Sequence, residues 1–213
     1  MLAANLFSGG KESVHAISTV ESQGVEVKHL LHEIPTFDSP HAHNIEALET
    51  LAKSMNKSFT VVDLRKGERE LVDSLKKLNV DALVAGDINV PQHVTWLKNI
   101  CSQAGIELLE ALFGKETSFL FREIFSQPRF KAAIIGVNTK YLKDEWLGFT
   151  ISNETAEDFL SRTRNIDPLG ENGEFHTIVV ESPLYSSAFK IKPLERITEK
   201  DMTYLRLTLA ELP

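Results

Sequence analysis

The sequence of 213 residues predicts an α/β fold, with a doubly wound parallel sheet followed by a smaller C-terminal α+β part. Apolar runs of strand length alternate with amphipathic helical stretches over residues 1–136. The first strand stops at a Ser-Gly-Gly turn, and a helical pattern begins directly after it. After residue 136 the alternation ends and shorter, mixed elements follow. We therefore expect two closely packed parts, residues 1–136 and residues 137–213.

Short apolar segments form the predicted strands of the first part, and amphipathic segments form its helices. The strands are expected at Leu2–Phe7, Val25–Leu31, Phe59–Asp63, Asp81–Ala85, Ile106–Leu109 and Lys131–Gly136. The helices are expected at Lys11–Gln23, Asn44–Met55, Glu68–Leu78, Val90–Ala104 and Ser118–Phe125. This alternation predicts right-handed crossovers in a parallel sheet, and ligands of such sheets bind beyond the carboxyl ends of the strands.

The C-terminal part is predicted to combine short helices with an antiparallel element. The helices are expected at Lys143–Gly148 and Glu154–Thr163, and the strands at Phe175–Glu181, Ser187–Ile191 and Thr203–Leu209. In the last of these segments the leucines fall at every second position, which is the alternation of a half-buried strand.

Composition and charge exclude several classes of protein. Lys and Arg number 23 against 30 Asp and Glu, a net charge of −7, which leaves no basic footprint for a nucleic-acid partner. Neither an apolar run of about 18 residues nor a signal-peptide pattern is seen, so we expect a cytoplasmic protein without a membrane partner. Cys101 is the single cysteine, which excludes an internal disulfide and favours a packing role. A homodimer is expected only because small enzymes often form one.

The turn after the first strand has the composition of an anion-binding loop. It reads Ser8-Gly9-Gly10-Lys11-Glu12-Ser13. Free backbone amides and the positive end of the helix dipole favour an anion at such a turn. The two glycines leave room for a phosphate, Lys11 adds a positive charge, and Ser8 and Ser13 add hydroxyls. The alternative is an ordinary turn in which Ser8 only caps the helix.

This loop is neither a Walker A nor a dinucleotide-binding motif. Walker A requires a glycine five residues before Gly-Lys-Ser/Thr, but Asn5 stands at position 5 and Glu12 follows Lys11. The loop resembles the Ser-Gly-Gly-x-Asp-Ser loop of the PP-loop ATP pyrophosphatases, enzymes that cleave ATP between its α- and β-phosphates. Glu12 stands where that family usually has Asp, which keeps the charge and lengthens the side chain by one methylene. The resemblance implies a fold of the adenine nucleotide α-hydrolase-like type.

A second polar cluster, residues 167–177, lies immediately before an apolar strand. It combines two glycines with carboxylates and a histidine, and its Asn172-Gly173 dipeptide is a strong turn signal. A solvated turn is therefore the simpler interpretation of the composition. The segment Gly170–Thr177 nevertheless resembles Gly-Glu-x-Gly-Glu-(Phe/Tyr)-(His/Glu)-Thr, a signature of the diphthamide synthase family of PP-loop enzymes, the diphthine–ammonia ligases.

The resemblance to the diphthamide synthase family extends over most of the chain. It includes His41 and Asn44 of a His-x-x-Asn element, Gly86 of a Val-x-x-Gly-x-Ile strand end, and a Leu-Gly segment at residues 147–148. One segment departs from the family pattern. Family members carry Tyr-Gln-Arg-x-Arg-(Val/Ile)-Glu where this chain keeps only Gln92, and the absent arginines would suit a bidentate grip on phosphate or carboxylate.

The resemblance implies ATP-dependent amidation. A carboxylate attacks the α-phosphorus of ATP, pyrophosphate leaves, and ammonia displaces AMP from the acyl-adenylate. In the family the acceptor is diphthine, the modified histidine of translation elongation factor 2, and free ammonium is the nitrogen donor. ATP and Mg²⁺ are the expected cofactors, and the metal ligands are left unassigned.

The resemblance also implies a nucleotide site built from the first loop and the fourth strand end. The expected cofactor-binding residues are Ser8, Gly9, Gly10, Lys11, Glu12, Ser13, Gly86 and Asp87. Lys11 is expected to hold the leaving pyrophosphate, because phosphoryl transfer depends on positioning and electrostatics. Gly86 is expected to lie beneath the nucleotide, where a side chain would collide. Asp87 is expected either to bind magnesium or to cap the next helix.

The catalytic and substrate-binding residues are expected in the second cluster and in the loop before the second helix. Glu171 and Glu174 are expected to orient ammonium or accept its protons, together with Lys11 and His176 as catalytic residues. His176 is alternatively a strand residue facing solvent. The expected substrate contacts are His41, Asn44, Gln92, Gly170 and Gly173, with an ordinary surface loop as the alternative for His41.

Two further hypotheses remain beside diphthine amidation. The departure at residues 91–97 suggests a paralogue that adenylates and amidates a different small carboxylate. Glu12 is the one sequence feature that suggests a nucleotide-binding protein without catalysis. Thiolation of tRNA, known among PP-loop proteins, is disfavoured because those enzymes generally use reactive cysteines and because the charge is acidic.

Overall fold

The first half of the chain forms the parallel sheet that the sequence predicts. The structure is a computed structural model that describes residues 1–212. Its first sheet has five parallel strands in the order β3-β2-β1-β4-β5. The strands are β1 (Leu2–Leu6), β2 (Glu26–Ile34), β3 (Ser58–Asp63), β4 (Ala82–Ala85) and β5 (Glu107–Glu110). The order reverses between β1 and β4, so the crevice of this doubly wound sheet opens beyond the ends of these two strands.

Helices cover both faces of this sheet and create two hydrophobic cores. They are α1 (Lys11–Ser22), α2 (Ile45–Ser54), α3 (Arg69–Leu78), α4 (Pro91–Ala104) and α5 (Thr117–Phe125). Val14 of α1, Leu48 of α2 and Phe121 of α5 belong to one core. Leu71 of α3 and Leu97 of α4 belong to the other. Each helix therefore buries its apolar stripe against one face of the sheet, as the helical spacing predicted.

The second half forms a separate antiparallel sheet with one short α-helix, α6 (Ala156–Arg162), and a single 3-10 turn at Asp144–Trp146, where a helix over Lys143–Gly148 was expected. Its strands are β6 (Lys131–Asn138), β7 (Thr150–Ile151), β8 (Phe175–Glu181), β9 (Phe189–Glu199) and β10 (Met202–Glu211). They follow the order β7-β6-β10-β9, and β8 pairs with β6. The antiparallel element of the C-terminal part is thereby confirmed.

The placement of β6 corrects one expectation. The apolar run Lys131–Gly136 is a strand, but it pairs antiparallel with β7, β8 and β10 and is no member of the parallel sheet. An apolar run indicates burial on both faces, and a central strand of either sheet satisfies that condition. The change from one sheet to the other thus falls before Lys131, whereas the change of sequence character falls after Gly136.

The two sheets share the core that contains α1 and α2. Ile178 and Val179 of β8 pack in it, and the Val179 amide donates a hydrogen bond of 2.8 Å to the carbonyl of Gly9. The start of β8 is therefore fixed beside the N-terminus of α1. None of the helices in residues 1–212 has the length and apolarity that crossing a membrane requires.

Candidate active site

A cavity of about 420 Å³ opens beyond the carboxyl ends of β1, β2 and β4. This is the crevice at which doubly wound sheets bind ligands. Its lining includes eight of the residues singled out from the sequence: Ser8, Glu12, Ser13, His41, Gly86, Asp87, Glu171 and His176. Residues from both ends of the chain therefore meet at one cavity.

A second cavity of about 240 Å³ adjoins the first. Ser8, Glu12, His41, Glu171 and His176 line both cavities and form the wall between them. Further lining residues of the second cavity are Gly10, Lys11, Leu169, Gly170, Gly173, Phe175 and Thr177. The first loop and the second cluster thus share a two-chambered site.

The loop of residues 8–13 places no capping side chain of its own at the start of α1. Gly10 is the N-cap residue and has no side chain to cap the helix, and the Lys11 amide donates to the Thr177 hydroxyl of β8 over 3.3 Å. The Ser8 hydroxyl instead accepts a hydrogen bond of 3.2 Å from the Gly10 amide, so the expectation that Ser8 only caps the helix is wrong. The first amides of a helix have no intrahelical partner, so this terminus offers donors and positive potential to an anion.

The two glycines of this loop are required mainly by packing. Gly9 has a φ of +70°, and a Cβ there would lie 2.5 Å from Leu48 Cδ2. A Cβ on Gly10 would lie 3.1 Å from the Ser8 hydroxyl oxygen and 3.4 Å from the Thr177 carbonyl oxygen. The glycines therefore let α2, β8 and the loop approach each other closely, which also shapes the site.

Asn5 supports this loop and was not singled out from the sequence. It is fully buried in β1, and its side-chain amide donates to the carbonyl of Val84 in β4 over 3.2 Å. The Ser13 hydroxyl lies 3.1 Å from the Leu6 carbonyl and 3.3 Å from Asn5 Oδ1. The signal was a polar residue inside an otherwise apolar strand, because a buried amide needs partners.

Lys11 points into the second cavity rather than into open space. Its Nζ donates to the Leu169 carbonyl over 2.7 Å and lies 2.7 Å from Glu12 Oε1. Nζ also lies 4.7 Å from the centre of the Phe175 ring, and 3% of the side chain is exposed. Lys11 therefore links the first loop to the second cluster.

Glu174 shapes the second cluster from inside. Its carboxylate accepts hydrogen bonds from the amides of Asp167 and Asn172, at 3.0 and 2.8 Å, and from the Asn172 side chain at 3.1 Å. The residue is 2% exposed. This geometry gives Glu174 a positioning role, because both of its oxygens are already engaged.

Glu171, unlike Glu174, faces the cavities. It lines both cavities, and burial followed by the charge of Glu12 raises the pKa of its carboxyl to about 7. A carboxyl with such a pKa exchanges a proton readily near neutral pH. Of the two glutamates in the motif, Glu171 is the one placed to exchange a proton with a ligand.

His41 and His176 face each other in the wall between the cavities. Their ring centres lie 5.5 Å apart at an angle of 79°. Burial, reinforced by the charge of Lys11, lowers the pKa of His176 to about 4, and burial also lowers the pKa of His41. Both rings are therefore neutral at pH 7. The alternatives of a solvent-facing His176 and an ordinary surface loop at His41 are wrong.

The end of β4 carries Gly86 and Asp87. A Cβ on Gly86 would lie 3.0 Å from the Glu12 carbonyl carbon, so this glycine lets β4 approach the backbone of α1. The Asp87 carboxylate accepts from His93 Nδ1 at 2.8 and 2.9 Å, and this bond raises the pKa of His93. The cap that was expected of Asp87 is wrong, since α4 starts after Val90 without a side-chain cap.

Glu33 lines the first cavity and was not singled out from the sequence. Burial raises the pKa of its carboxyl to about 7, and Asp87 adds to this effect. Its Oε1 has no hydrogen-bond partner among residues 1–212. The signal was a glutamate two residues after the buried Leu31 of β2. With Asp87 it makes this end of the cavity acidic.

Two expected substrate contacts lie elsewhere. Asn44 is 2% exposed, and its amide bonds to the Pro40 carbonyl and to the backbone of Leu205 and Leu207, each at 2.8 Å. It therefore ties the segment before α2 to β10. Gln92 is exposed on α4 and does not line either cavity.

Two family models match the chain. The diphthamide synthase N-terminal domain matches residues 1–108, and the diphthamide synthase C-terminal domain matches residues 116–212. No curated protein matches the chain in a sequence search. The first match contains the loop at α1, and the second contains the cluster before β8. Together they cover almost all of the sequence, and the chain therefore belongs to the diphthamide synthase family.

Proposed function

We propose that this protein amidates diphthine on translation elongation factor 2, using ATP and ammonium and passing through an acyl-adenylate. Family membership supports the broader role in diphthamide biosynthesis. The observation that carries the finer proposal is the two-chambered site, in which the N-terminus of α1 and Glu171 line the same cavities. Adenylation needs the first feature, and amidation needs the second.

The larger cavity suits the nucleotide. The start of α1 would receive the phosphates, because its unbonded amides and dipole favour anions. The hydroxyl of Ser8 lies in the same wall. Phe7, Leu31 and Pro35 line the remainder of this cavity and offer apolar contacts to a nucleobase.

Magnesium fits this site as a partner of the phosphates. Residues 1–212 contain no group of three or more His, Cys, Asp or Glu side chains placed to hold a metal. Mg²⁺ usually binds through one or two carboxylates together with substrate phosphates, and Glu12 and Asp87 line the cavity for that purpose. When bound, the ion would neutralise charge that develops on the phosphates.

The smaller cavity suits the carboxylate and the nitrogen donor. The acceptor carboxylate attacks the α-phosphorus, the bond from this phosphorus to the bridging oxygen breaks, and pyrophosphate leaves. Ammonium then gives one proton to the Glu171 carboxylate. The resulting ammonia attacks the acyl carbon, the carbon–oxygen bond to AMP breaks, and the nitrogen loses a second proton to solvent as the amide and AMP are released.

A different small carboxylate is the second candidate acceptor, and one observation favours it. His93 stands where the family pattern has an arginine, and it pairs with Asp87 in the lining of the larger cavity, which also contains Glu33. An acidic end of the cavity would select a different substrate group from the one that arginines hold. The acceptor therefore has to be identified by assay.

The test is pyrophosphate release with ATP, magnesium and ammonium, with and without diphthine-bearing elongation factor 2. We expect turnover that depends on the factor and fails in Lys11→Ala and in Glu171→Gln. Turnover with small carboxylates alone would support the second candidate. ATP binding without turnover under any of these conditions would instead support a nucleotide-binding protein that lacks catalysis.

A further inference from the structure

The amine of Lys11 is surrounded by groups that would also stabilise a free ammonium ion. Its Nζ is held by the Leu169 carbonyl at 2.7 Å, by Glu12 Oε1 at 2.7 Å and by the Phe175 ring at 4.7 Å. A carbonyl, a carboxylate and an aromatic face each stabilise a desolvated ammonium group. The ammonium group of lysine has the same charge as ammonium and a closely similar shape.

A bound nucleotide would attract the Lys11 amine through its phosphates. Lys11 is the first residue of α1, and the amides of Glu12 and Ser13, which have no partner within the helix, would receive the phosphates. Lysine is a point charge on a flexible stem, so its amine can change partner without a change in the backbone. A triphosphate carries more negative charge than the single carboxylate of Glu12. We therefore expect the amine to turn toward the phosphates when they arrive.

We propose that the position of Lys11 Nζ is the binding subsite for the ammonium substrate, opened when the nucleotide draws Lys11 away. This inference rests on the proposed function, because it takes ammonium as the nitrogen donor. It implies an order in which the nucleotide binds before ammonium. It also gives the Leu169 carbonyl and the Phe175 ring a role in substrate binding.

The surroundings of the subsite support this inference. The titratable groups that face it are Glu12, Glu171, His41 and His176, all in the wall of the second cavity. Burial keeps both imidazoles neutral by lowering their pKa values, so neither histidine places a positive charge beside the subsite after Lys11 leaves. Glu171 lies in the same wall and would take the proton that converts ammonium into ammonia.

The first test measures chemical rescue without any turnover. In Lys11→Ala the subsite is vacant, so ammonium chloride at ten times its dissociation constant should raise the melting temperature by about 3 °C relative to sodium chloride. The wild-type protein without nucleotide should respond equally to both salts. The rescue should disappear in Lys11→Ala/Phe175→Leu and persist in Lys11→Ala/Phe130→Leu, a control at a buried phenylalanine that does not contact Nζ.

The second test uses the wild-type protein and the non-hydrolysable analogue α,β-methylene ATP. Ammonium should tighten binding of the analogue about fivefold relative to sodium, because coupling between two ligands is reciprocal. Phe175→Leu should lose this coupling and still bind the analogue.

The outcomes of the two tests separate the two proposals. Equal effects of ammonium and sodium in both tests would overturn the subsite, whatever the enzyme activity. Failure to bind the analogue would contradict the proposed function, and the rescue in Lys11→Ala would still decide the subsite. If Lys11→Ala does not fold, the analogue titration with Phe175→Leu decides it.

Discussion

The two glycine loops of this protein differ in how many of their amides are hydrogen-bonded. In the first loop, residues 8–13, the amides of Gly10 and Lys11 donate to the hydroxyls of Ser8 and Thr177, and those of Glu12 and Ser13 have no partner within the helix. The second, residues 167–174, is closed on itself, because Glu174 accepts the amides of Asp167 and Asn172. A glycine-rich segment with free donors suits binding of an anion, whereas one with satisfied donors suits support of neighbouring side chains. The difference supports the proposal that the first loop contacts phosphates and the second positions neighbouring side chains.

Loss of Lys11 should have the largest effect on this division of roles. Lys11→Ala removes the positive charge that the first loop offers to phosphates and the link to Leu169. We expect pyrophosphate release to fall roughly 100- to 1,000-fold, the usual effect of removing one group that stabilises transition-state charge. Lys140→Ala is the control, since that lysine pairs with Asp201 on the surface. Unchanged pyrophosphate release in Lys11→Ala would contradict the role of the first loop in phosphate binding.

Glu174 tests whether the second loop is mainly a support. Glu174→Ala leaves two partly buried amides without an acceptor, which should lower the free energy of unfolding by about 2 kcal/mol. Glu174→Gln keeps one acceptor oxygen and should lose roughly half as much. Denaturant titration measures both values. Equal stability of the alanine variant and the wild type would show that the loop does not depend on this carboxylate.

The two glycines of the second loop also test how closely this loop is packed, through the stability lost when each is replaced. Both have positive φ, +77° for Gly170 and +78° for Gly173. A Cβ on Gly170 would lie 2.9 Å from the Phe175 carbonyl oxygen, whereas a Cβ on Gly173 meets nothing within 4 Å. Gly170→Ala should therefore cost about 2–3 kcal/mol of stability, and Gly173→Ala about 1 kcal/mol. Similar losses in the two variants would contradict the packing argument.

The pH dependence of stability should show the state of Glu171. Its folded pKa, raised to about 7 by burial and by Glu12, exceeds the unfolded value near 4.5, so the folded protein binds more protons between these limits. The stability that the protonated Glu171 carboxyl adds to the folded state is fully present below pH 4.5 and is lost as the pH rises through 7. The melting temperature of Glu171→Gln should fall less between pH 5 and pH 8 than that of the wild type. Identical profiles would show that Glu171 is not the buried carboxyl described here.

The rate of amide formation should rise over the same pH range in which stability falls. Glu171 accepts a proton only when ionised, so amide formation should increase as the pH passes 7. Glu171→Gln should lack this limb as well as most of its activity. Glu157→Gln, an exposed carboxylate on α6, is the matched control.

The sequence allowed the strands, the helices and both loops to be located, because hydrophobic periodicity and turn residues are local signals. It misplaced Lys131–Gly136, because an apolar strand carries no information on the direction of its partners. Gly9 has the positive φ that such a turn uses and also packs closely against Leu48, whereas Gly86 is set by the backbone of Glu12, a contact that the sequence did not indicate. The pairs His41–His176 and Lys11–Leu169 join residues more than 130 positions apart, and composition alone does not predict such contacts.

The most direct test of the account is a double-mutant cycle between the two loops. Rates of amide formation would be measured for the wild type, Lys11→Ala, Glu171→Gln and the double variant. Groups that act in one site are strongly non-additive, so we expect the double variant to be about as slow as the slower single variant. If the two losses simply multiply, the loops act independently and the account of a single two-chambered site is contradicted.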